Sequence, residues 1–298
     1  MSEKKDARDY LREQWLLDLE SGVAPWAKPW KCKGGACGRP RNFESKRPYS
    51  GLNTFTLLWE AMNKGYVHND WLTFAGVQRL GGQVKKGEHG TWVLQPVPAS
   101  FTKKVKDGDG KEQEEEVKYF RFRGLRVFNV DQTTLELPPP PKEETAEEVQ
   151  ARLDGVDSFI QALGARIGHG GDRAYYSPDS DRIQLPPFES FVDAASYYAT
   201  SLHEHAHWTG HTSRLDRDLK GWHNTTSYAQ EELVAEMAAA FLCLDLGIEG
   251  KLQHREYIGC WVKHLQEQKD AIFKAAAAAE KAAAWMMEQV KVAVPKAA

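Results

Sequence analysis

The pattern His-Glu-x-x-His, at His203, Glu204 and His207, constrains this chain more than any other feature. On a helix, two histidines four residues apart project from one face and can share a metal ion, while the glutamate beside them faces the attacking water. The preceding run 191–202 has no glycine or proline and carries apolar residues at helical spacing, and Gly210 follows as a stop signal. The pattern therefore predicts a helix that carries the centre of a metal hydrolase.

A catalytic zinc ion needs a third protein ligand, and the next helical segment, 227–244, offers three glutamates. Glu232 and Glu236 share one face of that segment. We expect Glu232 to be the third ligand and Glu236 to accept a hydrogen bond from the free ring nitrogen of a ligating histidine. Glu231 is the less favoured ligand, and the alternative is that all three form a solvated acidic first turn. His205 points away and is expected to support a ligand or lie at the surface.

These residues predict one Zn²⁺ per chain, with another divalent metal such as Mn²⁺ as an alternative. Glu204 would act as the catalytic base, taking a proton from the water that attacks a peptide carbonyl. Three further side chains are candidates to stabilise the oxyanion. They are Tyr228, His211 and His223.

The charge of the chain is unevenly distributed. Residues 1–135 hold 23 lysines and arginines against 17 acidic residues, whereas the remainder holds 16 against 25. No apolar run approaches the twenty residues that a membrane span requires, and the first residues lead into an amphipathic helix rather than an apolar signal segment. Four cysteines without a disulfide pattern agree with this. The expected location is the cytosol, with no membrane partner.

The four prolines at 138–141 predict a semi-rigid linker, because they can continue neither a strand nor a helix. We therefore expect an α+β protein of two domains. Residues 1–135 would form a small α+β domain, 136–146 the linker, and 147–298 a mostly helical domain that carries the metal site.

Elements around the linker can also be predicted. Residues 7–21 read as a helix, and the charged segment 103–117 as an exposed hairpin tip before a strand at 119–130. Beyond the linker, 166–186 reads as a short hairpin turning at 178–181, whose edge strand would hold an extended polypeptide by main-chain hydrogen bonds.

Aromatic residues interleaved with lysine and arginine in the first domain suit single-stranded DNA, because cations follow the phosphates and flat rings stack on unpaired bases. The alternative is that most of these rings simply fill a small core. The aromatic candidates for base contacts are Trp26, Trp30, Tyr49 and Phe122. The candidates for phosphate contacts are Lys85, Lys86, Arg121, Arg123 and Arg126.

Several separated motifs, in order, resemble the ArdC family of antirestriction proteins of conjugative plasmids over nearly the whole chain. In the first domain they are the motifs at 48–53, 71–74, 82–90 and 127–132. In the second they are those at 175–178, 181–183, 203–211, 214–215 and 228–236. The resemblance implies a single-stranded-DNA-binding domain, also similar to the N-terminal part of plasmid TraC primases, joined to a zincin-type metallopeptidase domain. It further implies protection of incoming plasmid DNA from host restriction.

The resemblance places His203, Glu204 and His207 directly on the family's metal motif, and Glu232 best matches the third ligand of gluzincins. A host protein, such as a restriction enzyme, would be the substrate. One alternative is a non-catalytic protein that protects single-stranded DNA by coating it, with a structural zincin domain. A second is metal-dependent hydrolysis of the DNA itself, which is disfavoured because nuclease sites prefer carboxylate clusters.

Overall fold

The computed structural model describes most of the chain. The described residues are 7–22, 24, 26, 31–32, 35–36, 38–106, 112–139, 142, 144–219, 226–248 and 258–293. Within them the helices are α1 (Ala7–Glu20), α2 (Leu52–Lys64), α3 (Phe74–Arg79), α4 (Ala146–Leu163), α5 (Ala194–Trp208), α6 (Thr226–Leu246), α7 (Ile258–Glu267) and α8 (Ala271–Ala293). The strands are β1 (Lys31–Cys32), β2 (Gly35–Ala36), β3 (Arg41–Asn42), β4 (Asp70–Thr73), β5 (Thr91–Lys106), β6 (Glu112–Asn129), β7 (Arg166–His169), β8 (Tyr175–Ser177) and β9 (Arg182–Leu185).

The first part of the chain is built on a four-stranded sheet in the order β3-β4-β6-β5, while β1 and β2 form a separate two-stranded pair. Strands β5 and β6 form a long antiparallel ribbon whose register runs from Thr91 opposite Val127 to Lys106 opposite Glu112. The prediction of a hairpin tip over 103–117 was therefore too long, because pairing continues through most of that segment.

The second part carries a three-stranded sheet in the order β7-β9-β8. The predicted hairpin is confirmed, since β8 pairs antiparallel with β9 and the Asp181 amide donates to the Pro178 carbonyl at 3.3 Å. Strand β7 is an addition to that prediction, because it pairs with β9 in parallel. Strand β8 is left at one edge of the sheet.

Helices α5 and α6 pack together at the centre of the second part. Helix α5 begins after Asp193, whose carboxylate accepts a hydrogen bond from the Ser196 amide at 2.8 Å, and the chain turns at Thr209 and Gly210 after its last turn. Helix α6 is apolar on nearly all sides and buried over almost all of 229–244, which is expected of a central helix. The second part is mostly helical, as predicted.

One hydrophobic core runs through both parts of the chain. Phe55 of α2 stacks on Phe241 of α6 with ring centroids 4.6 Å apart. Arg39 adds a polar contact, because its guanidinium binds Asp245 at 2.6 and 2.7 Å and Glu280 at 2.5 Å. The predicted linker thus divides the sequence, while the packing continues across it. None of the described helices combines the length and the apolar character that crossing a membrane requires.

Candidate metal centre and nucleic-acid surface

The predicted metal motif lies on α5, in its last two turns. His203 and His207 are one turn apart, and their Nε2 atoms approach to 3.2 Å. Their rings stand nearly perpendicular, at 82°, with centroids 4.8 Å apart. Both ring nitrogens therefore converge on one point beside the helix.

Glu232 of α6 completes this convergence. Its carboxylate oxygens lie 3.5 Å from the His203 Nε2 and 3.4 Å from the His207 Nε2. Ligands at roughly 2.0–2.1 Å from a tetrahedral Zn²⁺ are separated by about 3.3 Å. The two histidine nitrogens have about this separation, and each of them lies at a similar distance from one oxygen of Glu232. The three residues form a group that could hold a metal ion.

The charges around this group also suit a divalent cation. Burial raises the pKa of Glu232, but the neighbouring His207 and His203 lower it by more than burial raises it. The pKa of Glu232 therefore lies below the ordinary value, and the carboxylate is anionic. Burial lowers the pKa of His207, but Glu232 and Glu231 outweigh burial and raise it well above the usual value. Three further glutamates, Glu204, Glu231 and Glu236, are buried on the same two helices. Because burying carboxylates without counter-charges is costly, a divalent ion fits this environment.

Glu204 follows His203 directly on α5 and is 5% exposed. Its position between the two histidines in sequence places it at the same buried end of the helix. Its role as the general base, which takes a proton from the attacking water, stays a prediction.

Glu231 and Arg217 form a support that the sequence did not reveal. Glu231 Oε1 accepts from His207 Nδ1 at 3.1 Å, and Arg217 donates to both oxygens of Glu231 at 3.0 and 2.8 Å. Arg217 also donates to the Ala206 carbonyl at 2.6 Å and to the Thr209 hydroxyl at 2.8 Å. The loop after α5 therefore fixes the last turn of that helix to α6. The available sequence signal was an arginine in the loop soon after the motif.

The structure places Glu236 and His205 differently from what the sequence predicts. Glu236 is fully buried and lies 3.9 Å from His203 Nδ1, which is ion-pair rather than hydrogen-bond distance, so its role as an acceptor stays a prediction. The prediction that His205 supports a ligand or lies at the surface was wrong. Its ring is buried, with Nδ1 2.6 Å from the Ser201 carbonyl, and burial lowers its pKa to about 4. His205 is therefore a neutral core residue.

The oxyanion candidates stay predictions. Tyr228 is half-buried on α6, one turn before Glu232. His211 is half-buried, and its Nδ1 lies 3.2 Å from the Ser213 amide and 2.8 Å from the Ser213 hydroxyl. His223 lies outside the described residues.

The four aromatic residues predicted to contact bases differ in how deeply they are buried. Trp26 does not fit its prediction, because it is 1% exposed and stacks on Trp15 with centroids 5.6 Å apart. Its other neighbour, Trp261, meets it edge-on at 5.4 Å, so the ring belongs to the shared core. Trp30 lies outside the described residues, and Tyr49 is half-buried against a small cluster beneath the sheet. Phe122 is 40% exposed.

The predicted phosphate contacts are exposed cations at the base of the β5–β6 ribbon and in the preceding turn. Side chains alternate between the faces of a strand, so Arg121 and Arg123 lie on one face of β6 and Arg126 on the other. Neither 91–102 nor 117–128 contains an acidic residue. Both faces of the ribbon are therefore basic along these two segments. The remaining two candidates, Lys85 and Lys86, are exposed before β5.

Family models match both parts of the chain. Residues 5–130 match the N-terminal domain of the anti-restriction factor ArdC, and residues 154–278 match a zincin-like metallopeptidase. The uncharacterised protein y4eC of Sinorhizobium fredii is 35% identical over 95% of this chain and 92% of its own length. A DNA primase TraC of Escherichia coli is 38% identical over 93% of this chain, a match that spans 27% of that primase.

Two solved structures of the antirestriction protein ArdC from plasmid R388 share this architecture. The metal-free structure superposes with a TM-score of 0.74 at 34% identity, covering 97% of this chain and 99% of that one. The Mn(II)-bound structure gives a TM-score of 0.74 at 33% identity, covering 96% and 98%. Together with the two-part α+β fold and the three convergent side chains on α5 and α6, these matches place the chain in the ArdC family of antirestriction proteins.

Proposed function

We propose that this protein is a metal-dependent peptidase that also binds single-stranded DNA and protects incoming plasmid DNA from restriction in the recipient cytosol. The observation that carries the peptidase part is the convergence of His203, His207 and Glu232 within 3.2–3.5 Å beside the buried Glu204. Zn²⁺ is the expected metal, and Mn²⁺ is a candidate because an ArdC structure has been solved with Mn(II) bound.

The three ligands would hold the metal, which supplies positive charge for the carbonyl and the water of the reaction. Glu204 takes the proton of the attacking water and returns it to the leaving amine. His207 is held in orientation by Glu231, which Arg217 anchors in turn. Strand β8, at the edge of its sheet, offers main-chain groups to an extended substrate. A host protein such as a restriction enzyme is the proposed substrate.

Support for DNA binding comes from the other part of the chain. The ribbon base carries Arg121, Arg123 and Arg126 without acidic neighbours along the two strand segments, and the match to the ArdC N-terminal domain covers this region. Because the two parts share one core, DNA bound at the ribbon would bring the peptidase to proteins that meet the same strand.

The test compares native protein with Glu204→Gln, both loaded with Zn²⁺ or Mn²⁺, on fluorescent casein with and without a single-stranded oligonucleotide. We expect the native protein to cleave casein and the variant not to cleave it. Chelation should abolish cleavage by the native protein, and the variant should still bind metal and DNA. Cleavage that survives in Glu204→Gln would contradict the base assignment. Undiminished protection of plasmid DNA by that variant in a recipient cell would replace the peptidase with the coating function. Breakdown of the oligonucleotide, lost on chelation, would indicate a nuclease.

A further inference from the structure

A cavity lies between α1, α2 and the start of the ribbon, far along the chain from the three candidate metal ligands. Its volume is about 510 Å³, within the range of about 300–1,000 Å³ that small-ligand sites occupy. The lining residues that matter here are Tyr10, Trp59, Glu60, Asn63, Trp92 and Arg126. Helices α5 and α6 contribute no lining residue among those described, so this cavity is separate from the metal centre.

Aromatic rings form much of the wall. Trp59 and Trp92 are half-buried at the cavity, and Tyr10 is 41% exposed beside them. Aromatic rings are the usual partners of unstacked bases, because every base has a flat π-surface. The walls therefore suit a planar aromatic ligand.

The charges decide which part of a nucleotide enters. Arg126 lies over the Trp92 ring, with Cζ 4.7 Å from the centroid, and its residue is exposed. Within the described part of the chain it forms no ion pair, so it remains available to a phosphate. Glu60 and Asp18 place carboxylates in the lining, and these repel a phosphate. A base can therefore enter while its phosphate stays at Arg126.

The same carboxylates favour some bases over others. Glu60 accepts no hydrogen bond from the residues that the structure describes. A carboxylate accepts from exocyclic amino groups, as glutamate does from cytosine N4. Thymine and uracil present a carbonyl oxygen at the corresponding position, which a carboxylate repels. Amino-bearing bases should bind better.

From these features we propose that the cavity binds one base of single-stranded DNA, with preference for amino-bearing bases over thymine, while Arg126 contacts the adjoining phosphate. This inference rests on the proposed DNA-binding function and adds its base site and its selectivity. Asn63 is an exposed residue of α2 that lines the cavity. A large side chain at this position would fill the site without disturbing the core.

The experiment measures binding of the full-length protein to labelled oligo(dC), oligo(dU) and oligo(dT) of one length, by fluorescence anisotropy at fixed salt. Oligo(dU) separates the effect of the amino group from that of the thymine methyl group. We expect native protein to bind oligo(dC) about fivefold more tightly than the other two. Glu60→Gln should bring the three affinities together, whereas Glu136→Gln, an exposed control outside the cavity, should preserve the ratio.

Asn63→Trp should weaken oligo(dC) binding by about tenfold, since the stacked base is lost. Gln78→Trp, on the exposed face of α3, is the matched control for an added indole. Equal affinities of native protein for the three oligonucleotides, or native affinity in Asn63→Trp, would overturn the base site while leaving DNA binding in place. No binding of native protein to any strand would remove the proposed function itself. Binding of free dCMP without binding of oligo(dC) would also overturn the proposal. If Asn63→Trp fails to fold, the native ratio and Glu60→Gln decide.

Discussion

Glu231 Oε1 lies 3.1 Å from the Nδ1 of His207, while the other ring nitrogen, Nε2, lies 3.4 Å from Glu232. A hydrogen bond at Nδ1 sets the tautomer that leaves Nε2 free to bind a metal. The ring orientation of His207 thus depends on a glutamate that is itself held by Arg217.

Glu231→Ala is therefore expected to weaken metal binding by about tenfold, because partners of this kind contribute roughly 10–100-fold to metal affinity. Glu231→Gln retains an acceptor oxygen and should recover part of the loss. Competition with a fluorescent chelator measures both, and Glu136→Gln serves as an exposed control. Native affinity in Glu231→Ala would show that His207 is oriented without Glu231.

Arg217→Ala should lower the free energy of unfolding by about 3 kcal/mol, because the buried Glu231 carboxylate loses its arginine counter-charge and keeps only His207 as an ionic partner. The two side chains are only 13% and 10% exposed. Glu231→Ala in the same chain should restore part of the stability, since the uncompensated charge is then gone. Urea unfolding of the two single variants and the double variant measures the coupling. Additive losses would contradict it.

The shared core predicts that the chain unfolds in one cooperative transition. Phe55→Ala removes the ring that stacks on Phe241 and should cost about 3–5 kcal/mol. Because the contact joins the two parts, the whole transition should move to lower temperature in calorimetry. Two resolved transitions, of which Phe55→Ala shifts only one, would show that the parts unfold independently.

Sequence reasoning reached the three residues that converge between α5 and α6 because helical spacing is a local property. His203 and His207 are fixed by the helical period, and Glu232 by its place on the next helix. Glu231 and Arg217 were missed because their roles depend on how a loop and α6 pack against α5, which no local pattern specifies. Trp26 was misassigned for the same reason, since Trp15 and Trp261 that bury it are joined to it only by tertiary packing. The split of Arg121 and Arg126 between two faces could have been predicted from strand alternation alone.

His68 links the sheet to the start of the proline segment and predicts a pH dependence of stability. Its Nδ1 lies 2.5 Å from Asp131 Oδ1, and its Nε2 lies 2.9 Å from the Pro138 carbonyl. Burial lowers the pKa of His68, but the hydrogen bonds to Asp131 and Pro138 raise it above the usual value. The protonated ring therefore stabilises the fold below the unfolded pKa of about 6.5, and this contribution is lost as the pH rises through the folded pKa.

The difference in unfolding free energy between native protein and His68→Gln should accordingly shrink as the pH rises from mildly acidic to alkaline values. Urea unfolding at a series of pH values measures this difference, in which the titration of unrelated groups cancels. A difference that stays constant, or grows with pH, would mean that folding does not raise the pKa of His68.

The metal content of the purified protein tests the central claim most directly. Native protein and His89→Ala, an exposed histidine outside the motif, would be incubated with Zn²⁺ or Mn²⁺, dialysed and analysed by mass spectrometry beside His203→Ala and Glu232→Ala. We expect about one divalent ion per chain in the first two proteins and none in the others. A native chain without metal, or a His203→Ala variant that keeps it, would contradict a metal centre at His203, His207 and Glu232.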